Sequence, residues 1–258
     1  MKNRHASDKK IISSAIRNSL KANFQLIKGI NENKVETHSD EVVDDLKILV
    51  KKKIRNKFLK INQVGIFGVR GIEDVTLKFE NDLTVIIGIN GSGKSTILDS
   101  LSLTLSWLKA NIIKEDGVGT YLKDLDINNS DNVSYASIAC KFSLGSEVFN
   151  FLSTKSKPGK EFSRRSSLME IKALGGIYRY VNSSFSDVNL PLVAHYSVAR
   201  SNEGTKDDFA KVSSQLGIKG RWDKFDAYED VLKDRHDFNE FIVWLGRIDS
   251  IARQGEGQ

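Results

Sequence analysis

After a polar, basic start over residues 1–10, Ile12, Ala15, Ile16, Leu20, Phe24 and Ile27 recur at helical spacing, which predicts a helix ending near Gly29. Residues 30–38 read as a linker. Ser39 stands as an N-cap with Asp40 and Glu41 in the first turn, and Val42, Val43, Leu46, Leu49, Val50 and Ile54 form the apolar stripe of a second helix. From Phe58 the period shortens to two. Val75, Leu77 and Phe79 alternate with Thr76, Lys78 and Glu80, Gly65, Gly68 and Gly71 punctuate the approach, and Asn81-Asp82 turns the chain. Leu83, Val85, Ile86 and Ile87 then make a short run suited to a central parallel strand buried on both faces. Past a glycine-rich turn, Ile97, Leu98, Leu101, Leu105 and Leu108 mark a helix reaching about Lys109.

The second half is more broken. A polar connection over residues 111–132 leads to strand-like runs at 133–144 and 147–152, with Gly145-Ser146 as a hairpin turn. Residues 153–167 carry Lys155, Lys157, Lys160, Arg164 and Arg165 around Pro158-Gly159 and read as a surface loop. A short helix over 168–174, closed by Gly175-Gly176, precedes a strand candidate at 190–196. Two acid-started helices follow, one over 226–233 and one with Asp237 as N-cap, Glu240 three on, and Phe241, Ile242, Leu245 and Ile248 inward. No internal repeat is visible. The division expected is a basic two-helix extension over 1–57 and an α/β domain over 58–258.

Charge sharpens that division. Residues 1–60 hold 15 Lys/Arg against 7 Asp/Glu, whereas the remainder holds 24 against 26, so the net charge of +6 belongs to the extension. Its run Lys47, Lys51, Lys52, Lys53, Arg55 and Lys57 is either a solvated helix face or a docking surface for nucleic acid or an acidic partner. Only Phe24 and Phe58 could stack bases there, which argues against sequence-specific single-strand reading. At 258 residues the chain can bury one good-sized core, or one core plus an appendage. The single Cys140 excludes disulfides within the chain and reads as a small core residue, pointing to a reducing cytoplasm. No apolar run approaches the roughly 18 residues that span a bilayer, so no membrane role is expected. His5, His38, His195 and His236 are scattered and suggest no metal-ligand set.

The chemistry lies in Gly88-Ile-Asn90-Gly91-Ser92-Gly93-Lys94-Ser95-Thr96, a Gly-x-x-x-x-Gly-Lys-Ser phosphate loop between strand and helix. Glycines at 88, 91 and 93 let the backbone curl with its N–H groups inward, so the loop can act as an anion nest. Lys94 supplies a point charge for the β- and γ-phosphates of ATP, the Ser95 hydroxyl is placed to hold Mg2+, and Thr96 to help at the α-phosphate. The first turn of the following helix adds the positive end of its dipole.

With Gly68-Val-Arg70-Gly-Ile-Glu-Asp-Val75 and the alternating strand ahead of it, this loop resembles ABC-type ATPase heads of the SMC/RecF class, which sandwich ATP between two copies. The resemblance implies an α/β P-loop NTPase fold, an ABC/SMC-like head that is incomplete here. Residues 190–200, with Tyr196-Ser-Val-Ala-Arg200, and Asp226-Ala-Tyr228-Glu229 followed by residues 238–248, are similar to PtuA-type ATPases of Septu antiphage systems and some retrons. That likeness covers roughly residues 58–252 and implies a homodimer or higher homo-oligomer through the heads. It also implies an HNH nuclease partner, PtuB, and in retrons a reverse transcriptase with its RNA-linked DNA.

The family pattern also requires an apolar strand ending in Asp-Glu and a serine-glycine signature helix. Neither is found. Leu122-Lys-Asp-Leu-Asp126 is too polar for the strand, and Ser143-Leu-Gly145-Ser lies on a hairpin. Family order puts both motifs later, so the expectation is the N-terminal portion of a longer ATPase, binding ATP weakly and hydrolysing it poorly alone; its catalytic residues are unknown. Arg70 could reach a phosphate or be a surface charge, and Arg200 could lie near the nucleotide, at a subunit contact, or in solvent. His195 reads as a core histidine, Gln215 does not match a magnesium-sensing glutamine, and Trp222 and Trp244 suit packing. The leading expectation is an ATPase subunit of an antiphage complex that controls a nuclease. The alternatives are a RecF/SMC-like head acting directly on DNA, and a nucleotide-binding scaffold without turnover.

Overall fold

The computed structural model describes residues 20–31, 40–160, 165–185 and 187–195. Contacts divide the chain into two compact units, Met1–Pro191 and Leu192–Gln258, and every element named below belongs to the first. These elements are α1 (Leu20–Asn31), α2 (Asp40–Ile54), β1 (Leu59–Val69), β2 (Ile72–Lys78), α3 (Lys94–Ile113), a 3-10 turn at Asp124–Asp126, β3 (Tyr135–Leu144), β4 (Glu147–Ser156) and α4 (Met169–Ser184).

The strands form one antiparallel sheet in the order β2-β1-β3-β4. Alternation decides its faces: Val64, Ile66, Ile138, Cys140, Phe142, Phe149 and Phe151 are buried, whereas Lys78, Lys141 and Asn150 of the other parity are exposed. The expected hairpin is present, with Leu144 opposite Glu147 and Gly145 in the left-handed region at φ 63°. Against the apolar face, α3 contributes Leu103, Trp107, Leu108 and Ile112, and α4 contributes Ile171, Leu174, Ile177 and Val181. Cys140 sits between them, 3.5 Å from the Thr104 hydroxyl, and burial pushes its thiol up to about 12, which keeps it protonated and inert.

Two expectations are corrected. The run at 83–87 is not a buried central strand: residues 83–89 join no ladder, and Leu83, Val85, Ile87 and Ile89 are 75%, 68%, 87% and 82% exposed. A parallel strand draws its hydrogen bonds from parallel neighbours, and among the described residues every ladder is antiparallel. Leu98 of α3 is 46% exposed as well. Second, the short helix expected over 168–174 does not close at Gly175-Gly176 but runs on through both glycines to Ser184, because they are close-approach points and not caps. Residues 190–195 join no strand, while Ser39, Arg200, Gln215, Trp222, Trp244 and the two expected C-terminal helices lie outside the described residues.

Helices α1 and α2 pack onto the other elements of the first unit. Leu20 N–H donates to the Glu147 carboxylate at 2.9 Å, Lys21 pairs with Glu170 at 2.9 Å, and Phe24 lies edge-on to Tyr180. In α2, Leu46, Val50 and Ile54 are buried, and Lys51 pairs with Asp187 at 2.6 Å while lying over the Phe185 ring. Part of the lysine run is therefore engaged within the molecule. Burial pushes the Glu170 carboxyl up, but Lys21 and the Asn150 N–H groups outweigh it and hold it below its ordinary value. A carboxyl depressed by folding stabilises above its unfolded pKa and loses that contribution as pH falls through the folded one. The expected result is that stability drops as pH falls below about 4.3, and that Glu170→Gln flattens this part of the profile. Urea midpoints of both proteins across pH 2–6 provide the check.

Candidate nucleotide site

Gly91 and Gly93 lie in the left-handed region at φ 83° and 91°, so the loop turns twice where a side chain would be strained. Gly88 has a different reason to lack a Cβ, which would stand 2.5 Å from the Ser92 hydroxyl. Gly93 is the N-cap of α3, without a side-chain cap, and the N–H groups of Gly93, Lys94, Ser95 and Thr96 enter no hydrogen bond among the described residues. Four convergent main-chain donors at a helix N-terminus are the donor set a phosphate chain requires. Asn90 and Ser92 are exposed on the loop, with Ser92 N–H bonded to the Ile89 carbonyl at 3.3 Å.

The Lys94 ammonium folds back over the loop and donates to the carbonyls of Gly88 and Ile89, both at 2.7 Å. This keeps the cation above the cradle rather than extended into solvent. Ser95 is exposed at the start of α3, where its hydroxyl could serve Mg2+, whereas Thr96 is 9% exposed. The residues present thus fit a magnesium-bound triphosphate: free amides, one ammonium on a long stem and one exposed hydroxyl. No group of three or more His, Cys, Asp or Glu side chains able to hold a metal by itself occurs among the described residues.

Beside the loop, the β1–β2 turn adds an arginine. Arg70 takes φ 49°, unusual for a residue with a Cβ, and is anchored there by its N–H to the Asp126 carbonyl at 2.7 Å. Its guanidinium bridges Asp99 at 2.6 Å and Asp126 at 3.1 Å. The Asp99 hydrogen bond above all raises its pKa, so the charge is permanent. Ser95 and Asp99 are one turn apart on α3 and share a face. Ile72, which pairs with Val69 across the same turn, packs against Gly93, where a Cβ would come within 3.1 Å of it. Arg70 therefore stands at the helix end of the loop, tied to α3. Its two carboxylate partners were not evident from sequence. The i to i+4 spacing of Ser95 and Asp99 is the sequence signal for one of them, and the polar Leu122-Lys-Asp-Leu-Asp126 stretch carries none for the other.

Behind the site, α3 is clamped at its far half. Trp107 Nε1–H donates to the Thr120 carbonyl at 2.9 Å, and Asn111 donates to the carbonyls of Trp107 and Gly117. Gly119 lies so close to Trp107 that a Cβ would meet its backbone N at 2.6 Å.

The sequence profile of the AAA domain family matches residues 59–245. Among curated proteins, the chain is 27% identical over 242 residues to the "Retron Ec83 probable ATPase" of Escherichia coli, covering 93% of this chain and 44% of that protein. It is 30% identical over 207 residues to the "Retron Vc95 probable ATPase" of Vibrio cholerae, covering 78% and 40% respectively. The chain thus spans less than half the length of these relatives. A shorter likeness, 39% over 51 residues, links it to a DNA double-strand break repair Rad50 ATPase from Pyrococcus abyssi, covering 20% of this chain and 6% of that one. A solved SMC ATPase, from work on ATP-driven dimerisation and DNA-stimulated activation, aligns at a TM-score of 0.31 with 20% identity, covering 58% of this chain and 89% of that one. With its phosphate loop set between an antiparallel sheet and α3 in an α/β fold, this chain belongs to the AAA domain family.

Proposed function

We propose that the chain is the nucleotide-binding part of an ATPase subunit in a bacterial antiphage defence complex of the retron type. The observation that carries the reading is the loop itself: four unbonded amides at residues 93–96, with the Lys94 ammonium held over them. The likeness to two retron-associated ATPases supports the setting. The resemblance to PtuA-type proteins suggests the finer role, restraint or release of an HNH nuclease through ATP-dependent pairing of heads.

In this reading ATP with Mg2+ supplies a triphosphate that two heads can share. The residues of this chain then have separate tasks. Amides 93–96 and Lys94 hold phosphate oxygens, Ser95 holds the metal, and Arg70 stands ready as a second cation once a phosphate competes with Asp99 and Asp126.

The test uses the full-length protein with its nuclease partner. Magnesium-ATP should convert the subunit to a dimer or higher oligomer in light scattering and change the partner's cleavage rate. If ATP binds yet neither the oligomeric state nor the nuclease responds, the defence-control reading fails. DNA-stimulated turnover without any nuclease would instead favour a head acting directly on DNA.

A further inference from the structure

Helix α4 contains its own break point. Two consecutive glycines at its centre would ordinarily end or bend a helix, since glycine gives up the most backbone freedom on being ordered. Here the helix continues because both glycines are gripped, from different sides. A Cβ on Gly175 would meet Asn111 and the Leu108 carbonyl of α3 at 2.7 and 2.9 Å. A Cβ on Gly176 would meet the Phe24 ring of α1 at 2.7 Å. Beyond the break, Arg179 donates to the Asn111 carbonyl at 2.8 Å and pairs with Glu115 at 3.7 Å, capping the C-terminal end of α3.

On a neighbouring face of α4, about 100° round from the Gly175 contact, lies α1. Both polar atoms of the Asn23 side chain are buried without a hydrogen-bond partner among the described residues, so the docked position of α1 carries the cost of a buried amide. The Lys21–Glu170 pair that holds it is partly exposed. Helices α1 and α2 also precede the stretch, residues 59–245, that matches the AAA domain family, so this brace lies outside the matched region.

We propose that α4 is a hinge helix kept straight by α1, and that docking of α1 and nucleotide binding at residues 88–96 strengthen each other through it. The inference rests on the nucleotide reading above. With α1 docked, α4 is continuous and braces α3 along its far half, so the amides at the other end of α3 are presented in a fixed array. With α1 released, α4 bends at Gly175-Gly176, the Arg179 cap is lost and the array loosens. By linkage, whatever α1 docking adds to ATP affinity, ATP adds to α1 docking.

The full chain carries the test. Hydrogen exchange is measured at residues 20–31 and 177–184 with and without magnesium-ATP, using Lys94→Ala as the control that cannot respond. ATP affinity is measured for wild type, Phe24→Ala and Asn23→Leu. ATP should slow exchange in both segments of wild type and in neither segment of Lys94→Ala. Phe24→Ala should weaken ATP binding about fivefold or more, and Asn23→Leu, which keeps the heavy-atom count and branching and removes the buried amide, should strengthen it. Should Phe24→Ala fail to fold, Asn23→Leu and the exchange data decide. Wild type that binds ATP with unchanged exchange, or variants with wild-type affinity, overturn the coupling alone. Wild type that binds no ATP overturns the nucleotide reading and the coupling with it.

Discussion

Replacing Lys94 with alanine is expected to lower ATP affinity by roughly a hundredfold or more, since the charge-assisted hydrogen bonds its ammonium would give to phosphate oxygens, about 1.5–3 kcal/mol each, are no longer possible. The fold should be untouched. Among the described residues the ammonium bonds to the Gly88 and Ile89 carbonyls of an exposed loop, and water can satisfy both once the side chain is gone. Thermal unfolding of the variant should therefore coincide with that of wild type, while calorimetric titration with magnesium-ATP loses its heat. Lys94→Arg separates charge from shape, because a planar guanidinium cannot fold over the loop as an ammonium does. It should restore little of the affinity. Unchanged ATP binding by Lys94→Ala would remove the phosphate loop from the functional account altogether.

How much of this was legible beforehand depends on the range of the interactions involved. The loop was legible because its chemistry is local: glycine spacing, a lysine and a hydroxyl at a helix start are all set within nine consecutive residues. The β3–β4 hairpin was legible for the same reason, with Gly145 supplying the left-handed turn between alternating strands. Gly175-Gly176 misled because local propensity was overridden by packing from α3 and α1, which no short window of sequence contains. The run at 83–87 misled in the opposite sense. Its apolar content describes a strand buried between parallel neighbours, and a strand's burial is decided by what lies beside it. Arg70 joins turn, helix and 3-10 segment across 29 and 56 residues of sequence, and that kind of network leaves no periodic trace.

These differences share a cause in α3. Its apolar positions go nearly all the way round, the pattern of a helix covered on every side. One face has its cover: Leu103, Trp107, Leu108 and Ile112 meet the sheet and α4. On the other, Leu98 is 46% exposed. Among the described residues, α3 is held by the sheet, by α4 and by the clamp at its far half.

Trp107→Ala should therefore be the most damaging single change to stability, costing about 3–5 kcal/mol. The indole is 1% exposed, lies against Gly119, meets the Tyr121 ring edge-on at 4.8 Å, and donates to the Thr120 carbonyl. Truncation opens a cavity between α3 and the 114–122 connection and leaves that carbonyl unpaired. Because marginal stability is only about 5–15 kcal/mol, the loss should lower the melting temperature on the order of 10 °C. Trp107→Phe keeps most of the volume and forfeits the hydrogen bond, so it should fall between the two. If the clamp matters for presenting the amides at residues 93–96, Trp107→Phe should also bind ATP more weakly than wild type at a temperature where both are folded. Equal melting temperatures for Trp107→Ala and wild type would mean that the connection is not what holds α3 in place.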